Sequence, residues 1–301
     1  MNSNLVFHYT SINALKSLIE SIEISKEKDC LLFRASNILF MNDPNEFVYG
    51  RKIFLKTIVE IEDKLDIKNK YRLSSKWIGK TPEEEKVKEA EYMRYLQKIK
   101  EIPYVLSLSK LEDSLPMWLN YGDGGKGVCL VFQDNRNQPL KRRMTRNGEE
   151  VYVSFYTSDV HYDSIGRESE LYGLLYDTLK DYKKDIQKGC ADNDAYFDTL
   201  IQYAAPFIKN NHYRNECEVR MSKTIGSLNP SNEYKAKFRC NKYGHIIPYI
   251  DVEINVDQLK YIILGPLVNF ELTKMALGLM AERYIGKDII IIPSKVQYRE
   301  Y

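Results

Sequence analysis

The chain has 301 residues, 44% of them hydrophobic, enough for a sizeable core and close to the length at which a single core stops growing. Lys and Arg number 44 against 42 Asp and Glu, so the net charge of +2 supplies no overall field toward a polyanion and neither implies nor excludes a nucleic-acid partner. Cys30, Cys129, Cys190, Cys217 and Cys240 are odd in number and share no CxxC spacing, which argues for reduced thiols and against a disulfide framework or a zinc site.

The opening Met-Asn-Ser-Asn-Leu-Val-Phe-His carries no charged or apolar leader, and no stretch approaches about 18 apolar residues, so a cytoplasmic protein without a membrane span is expected. Leu5 to Tyr9 reads as a short buried strand. Thr10 or Ser11 then caps a helix whose apolar positions are Ile12, Leu15, Leu18, Ile19 and Ile22. Residues 31–40 are extended and apolar, until Asn42-Asp43-Pro44-Asn45-Glu46 breaks the run and starts a new helix; capping by itself accounts for Asn42 or Asp43. About 45–100 reads as two helices, the second opened by a capping box at Thr81-Pro82-Glu83-Glu84 and striped by Val87, Ala90, Met93, Leu96 and Ile99.

Residues 103–109 form the next expected strand, 115–121 a short helix with Trp118 and Tyr121 on one face, 122–127 a Gly-rich turn, and 128–132 a buried strand. That turn lacks the spacing of a phosphate loop, and no GxSxG elbow occurs anywhere. Lys141-Arg142-Arg143 with Arg146, followed by Asn147-Gly148, reads as an exposed hairpin, and 151–162 as a further strand. Helical stretches at about 167–188 and 193–210 lead into an alternating strand, Cys217 to Lys223. Strands near 234–240, 246–254 and 260–264, a helix at about 269–285 and the strand 289–292 complete the chain. Strands cluster at the beginning, middle and end with helices between them, so an α+β fold is expected, as one domain over 1–301 with helical insertions at about 45–100 and 167–211.

The strongest chemical signal is Glu216-x-Glu218-x-Arg220. Period-2 alternation points all three charges to one face, against Cys217, Val219 and Met221 on the other, and such a face needs water, mutual pairing or a ligand. His8 ends the first strand, where a side chain on a rigid element can enter a cleft, although a lone histidine is more often structural. His161 and His245 lack acidic or cysteine neighbours at metal-ligand spacing and receive no role.

In order, His8-Tyr9-Thr10-Ser11, Asn42-Asp43-Pro44-x-Glu46, Trp118-x-x-Tyr121 with Gly127-Val128-x-Leu130-x-Phe132, Glu216-x-Glu218-x-Arg220, Tyr261-Ile-Ile-Leu-Gly265-Pro266 and Ser294-Lys-Val-Gln-Tyr298-Arg299 resemble bacterial domain-of-unknown-function family 2971. That layout is in turn similar to ADP-ribosyltransferases: a first-strand His, a middle aromatic or Ser, and a late-strand Glu. The resemblance implies a split mixed β-sheet core with inserted helices, NAD as substrate, and transfer of ADP-ribose to a protein or nucleic-acid acceptor by a toxin or antiphage effector with a cognate inhibitor or defence-system partner. It implies Glu218 and Glu216 as catalytic carboxylates, and His8, Tyr9, Thr10, Asn42, Ser107, Trp118, Tyr121 and Arg220 as NAD-binding residues. Either aromatic, Trp118 or Tyr121, would pack on nicotinamide, and Arg220 would pair with a glutamate or meet the NAD phosphates. The alternatives are an NAD glycohydrolase, a magnesium nuclease built on Asp43, Glu46, Glu216 and Glu218, and a non-catalytic recognition surface.

Overall fold

A computed structural model describes residues 5–24, 29–41, 46–98, 103–134, 142–146, 149–153, 156–224, 236–241 and 244–299. Strand β1 (Leu5–Thr10) leads into α1 (Ile12–Glu20), whose first turn is closed by Ser11 accepting from the Ala14 amide at 3.1 Å. Leu15, Leu18 and Ile19 bury the expected stripe. After β2 (Cys30–Asn37) come α2 (Glu46–Lys64) and α3 (Pro82–Lys98), joined by short 3-10 turns. Thr81 Oγ1 accepts from the Glu84 amide at 3.2 Å, as the capping box requires, and the Glu84 carboxylate accepts from the Lys80 amide at 2.8 Å. The stripe expected on α3 is met in part: Met93 packs against the helical core, but Val87 is 56% exposed and Ala90 is also exposed, whereas Tyr92 is buried; the Leu96 side chain and Ile99 lie outside the described residues. This helix docks largely through aromatic and polar groups, with Tyr92 and Tyr95 on the Trp77 ring and Glu85 paired to the buried Arg51, so apolar spacing alone does not mark its whole buried face.

Strands β3 (Pro103–Ser109) and β4 (Val128–Gln133) flank the short helix α4 (Leu115–Asn120). The basic run forms a hairpin of β5 (Arg142–Arg146) and β6 (Glu149–Val153), and the single strand expected over 151–162 is divided between β6 and β7 (Tyr156–Asp159). Helices α5 (Glu170–Lys188) and α6 (Asn193–Ala204) precede β8 (Glu218–Thr224). The chain closes with β9 (Lys237–Cys240), β10 (Ile246–Asn255), β11 (Leu259–Leu264), α7 (Phe270–Tyr284) and β12 (Ile291–Pro293).

Ten strands form one mostly antiparallel sheet with the path β12-β11-β4-β1-β3-β2-β10-β9 and a branch through β8 to β7. The parallel pair is β11 with β12. The branch gives the sheet a fork. One edge of β3 pairs with β8 along its whole length, from Pro103↔Thr224 to Ser109↔Glu218. The other edge is shared: Ser109 pairs with Phe7 of β1, while Tyr104 and Val105 pair with Asn37 and Ser36 of β2. Residues 106–108 therefore present their backbone to the gap where β1 and β2 diverge.

Alternation sends one sheet face into a core with α1 and α7, including Val6, Phe33, Leu106, Leu108, Val219, Met221, Val252 and Ile262. Behind β1 and β4 the other face packs Phe7, Tyr9, Cys129, Val131 and Ile263 against Met117 and Trp118 of α4. A third core joins α2, α3, α5 and α6 around Ile58, Ile61, Leu175, Leu179, Tyr182 and Phe197. Among the described residues no helix is long and apolar enough to cross a membrane.

Candidate active site

A cleft of about 230 Å³ opens at the fork, lined by His8, Tyr9, Ser107, Tyr121, Glu216, Glu218 and Arg220 among the residues expected from sequence. On β8 the alternation holds for Glu218 and Arg220, which face the cleft while Val219 and Met221 enter the core. Glu216 and Cys217 depart from it. Asn211–Glu216 form a 3-10 segment that ends on Cys217 at φ +45°, a left-handed conformation a non-glycine residue adopts at a cost of about 1 kcal/mol. Ser109 Oγ donates to the Glu216 carbonyl at 2.6 Å, and the Lys110 amide donates to the Cys217 carbonyl at 3.0 Å, which holds the kink. Glu216 thus reaches the cleft from a turn, and Cys217 has no place on the opposite strand face.

Four charges interlock. Arg220, fully buried, donates Nε to Glu218 Oε1 at 2.8 Å and a terminal nitrogen to Oε2 at 3.2 Å, while its other terminal nitrogen donates to the Pro206 carbonyl at 2.8 Å. Lys209 Nζ bridges Glu216 Oε2 at 2.6 Å and Glu218 Oε2 at 3.1 Å, and lies 4.5 Å from the Tyr213 ring centre. Tyr121 donates its hydroxyl to Glu216 Oε1 at 2.6 Å, and the Glu218 amide donates to the Tyr162 hydroxyl at 2.9 Å.

Burial acts to raise the Glu218 carboxyl, yet Arg220 and then Lys209 outweigh it and bring its pKa down to about 2, so Glu218 is an anion. Burial works against the Lys209 charge, and the two glutamates more than restore it, holding its pKa above the ordinary lysine value. The Tyr121 phenol is pushed up, first by burial and then by its bond to Glu216, and stays protonated as a donor.

His8 enters differently from Glu218. It shares the core-facing side of β1 with Val6, meets the Phe33 ring edge-on at 5.2 Å, and fills the slot of the fork. Its Nδ1 lies 3.2 Å from the Ser107 carbonyl, so Nδ1 carries the proton, and burial lowers its pKa; the ring is neutral, with Nε2 as acceptor. That contact also satisfies a backbone carbonyl on the open edge of β3. Ser107 Oγ is buried without a hydrogen-bond partner, while its proximity helps hold the Glu218 charge.

Trp118 and Tyr121 border the same apolar cluster, but only Tyr121 also lines the cleft. The helix stops at Asn120; Tyr121, its C-cap with φ −125°, turns to the cleft. Trp118 is fully buried, donates Nε1 to Asp113 Oδ1 at 2.8 Å and packs edge-on against Tyr9 at 4.9 Å, so it is core and does not line the cleft. Tyr9 lines the cleft, but its hydroxyl is occupied by the Leu111 carbonyl at 2.8 Å and the Ser114 amide at 3.0 Å. Thr10 is not among the lining residues; its carbonyl instead abuts Gly127, where a Cβ would come within 2.2 Å. Asn42 and Asp43 fall outside the described residues, as does the Glu46 side chain. The grouping of Asp43, Glu46, Glu216 and Glu218 around magnesium thus has no geometry here, and its other two carboxylates are occupied by Lys209 and Arg220.

Lys209 is the residue the sequence did not announce. It follows the apolar Phe207-Ile208 on the way to the 3-10 segment, and the bridge of Ile208 to His161, with the Lys209 amide donating to the His161 carbonyl, brings it under Glu216 and Glu218. Arg34, Ser36 and Arg239 line the cleft as well, from β2 and β9.

No curated protein and no solved structure compared with the chain matches it. A family model described as a protein of unknown function, DUF2971, matches residues 117–221, a stretch containing Tyr121, Lys209, Glu216, Glu218 and Arg220 but not His8. Over that stretch, about a third of the chain, the sequence is similar to the DUF2971 family.

Proposed function

We propose that the cleft binds the nicotinamide-ribose end of NAD and that the protein transfers ADP-ribose to a protein or nucleic-acid acceptor. The observation that carries this reading is the convergence of an ionised Glu218, a second carboxylate on Glu216, a neutral His8 and Tyr121 on one cleft at a sheet fork. Its volume is below the roughly 300 to 1,000 Å³ of whole-ligand pockets, so it suits one end of a dinucleotide.

In this mechanism the bond from nicotinamide nitrogen to ribose C1′ breaks with its electron pair leaving on nicotinamide, and positive charge develops on the ribose. The fixed charge of Glu218 stabilises that charge in a site already organised by Arg220. His8 Nε2 accepts from a ribose hydroxyl. Glu216, with 13% side-chain exposure against 5% for Glu218, is the more accessible carboxylate and takes the proton of the attacking acceptor. With water as acceptor the same chemistry gives free ADP-ribose.

The test is release of nicotinamide and transfer of label from tagged NAD by the full chain, with Glu216→Gln as the paired variant. Labelled acceptor from the wild type and its loss of about 100-fold or more in the variant support the assignment. A wild-type protein that neither releases nicotinamide nor is stabilised by NAD refutes it, and release without labelled acceptor makes the protein a glycohydrolase.

A further inference from the structure

The wall of the cleft on the other side of β3 carries positive charge that no step of bond cleavage uses. Arg34 on β2, Ser36 two residues on, Ile247 on β10 and Arg239 on β9 all line the cavity from one sheet face. In register, Arg34 stands opposite Asp251, but that carboxylate is bonded to Lys237. Arg34 lies over the Tyr249 ring at 5.3 Å and is exposed, and Arg239 donates a terminal nitrogen to Ser36 Oγ at 3.1 Å. The Arg239 Nε is buried with no hydrogen-bond partner. Neither guanidinium forms an ion pair with a carboxylate of the described residues. Burial and the neighbouring Arg34 charge both work against the charged form of Arg239. Two like charges this close, one with a buried vacant donor and a hydroxyl bonded to it, are suited to an anion that would complete the group.

We propose that Arg34, Arg239 and Ser36 form a diphosphate subsite of the cleft. Planar guanidinium forks match the paired oxygens of phosphoryl groups, and two of them balance the two charges of a diphosphate. Strand β2 lies two positions from β8, a separation of about 10 Å, so a ligand whose ribose sits over β3 between them carries its 5′-phosphoryl groups onto β2. Arg220, fully buried against Glu218 and the Pro206 carbonyl, takes no part in phosphate recognition, and Arg34 and Arg239 take the place expected for it. The inference rests on reading the cleft as a dinucleotide site, and its test separates the two.

Thermal shift and calorimetry of the full chain with inorganic pyrophosphate, and with nicotinamide riboside as the phosphate-free probe, are the measurement. Pyrophosphate is expected to stabilise the wild type, with affinity about 10- to 100-fold weaker in Arg34→Gln and in Arg239→Gln, each having lost a charge-assisted pair, while nicotinamide riboside binds all three alike. Ligand-free melting checks that both variants fold. A wild type unmoved by pyrophosphate, or a double variant that binds it as the wild type does, overturns the subsite. If pyrophosphate binding depends on the two arginines but no nicotinamide is released from NAD, the subsite stands and the cleavage reading falls; release of nicotinamide with arginine-independent affinity leaves cleavage standing and removes the subsite.

Discussion

Replacing Glu218 with Gln tests whether the four-charge cluster is held by this carboxylate. The wild-type group titrates at about 2 against an ordinary value of 4.5, a difference of about 2.5 units, or on the order of 3 kcal/mol of folding free energy tied to the anion. Because the folded pKa is depressed, that stability is present above pH 4.5 and is lost as pH falls toward 2. In Glu218→Gln the fully buried Arg220 loses its carboxylate and Lys209 keeps only Glu216, which costs about 3 to 5 kcal/mol at neutral pH. Urea unfolding of both proteins from pH 7 down to pH 3 reads both effects: a lower midpoint for the variant at pH 7, and a shallower loss of stability than the wild type below pH 4.5. Equal midpoints at pH 7, or parallel pH profiles, would refute the ionised, mutually compensated cluster. The same reasoning makes Glu216→Gln the cleaner variant for activity, since its carboxylate is more exposed and its removal leaves the Glu218–Arg220 pair in place.

Trp118→Ala, which empties a fully buried indole site and leaves Asp113 without one donor, is expected to lower stability by about 3 to 5 kcal/mol in denaturant unfolding. Tyr121→Phe removes only the hydroxyl bonded to Glu216 and is expected to cost about 1 kcal/mol or less of stability in denaturant unfolding; a loss as large as that of Trp118→Ala would mean that this hydroxyl bond holds the fold and does not merely orient Glu216. Cys217→Val forces a β-branched residue into φ +45° and is expected to melt below Cys217→Gly, with the order of the two melting temperatures as the check. Gly127→Ala drives a methyl carbon into the Thr10 and Gly122 carbonyls, and circular dichroism of the variant is expected to show a fold destabilised by more than 2 kcal/mol.

Local rules served well where the fold obeys them. Ser11 and Thr81 cap the helices they announce, β3 falls on Pro103–Ser109, and the alternation of Glu218, Val219, Arg220 and Met221 separates cleft from core. They failed where a neighbour overrides local geometry. Glu216-x-Glu218 reads as one strand face, but Ser109 and Lys110 pin the chain into a left-handed turn at Cys217, so Glu216 arrives from a different element. Helical spacing places Trp118 with Tyr121, and both border one apolar cluster, yet the helix ends between them and their polar atoms go separate ways, one to Asp113 and one to Glu216.

The cations of the cleft were the least legible because their grouping depends on topology alone. Arg34 and Arg239 are separated by more than two-thirds of the sequence, and β10 between β2 and β9 brings them to one face. Lys209 reaches the glutamates from a non-strand segment whose position is fixed by the bridge at Ile208. These placements divide the work of the cleft by rigidity: Glu218 and Arg220 are sealed on a central strand, whereas Glu216, Tyr121 and Lys209 meet on turns beside it. In the proposed reaction, a substrate entering between them would meet a fixed negative charge on β8 and the more exposed Lys209–Glu216 ion pair beside it. That combination suits a site in which one carboxylate must stay ionised and in place while the other exchanges its partner for an incoming acceptor.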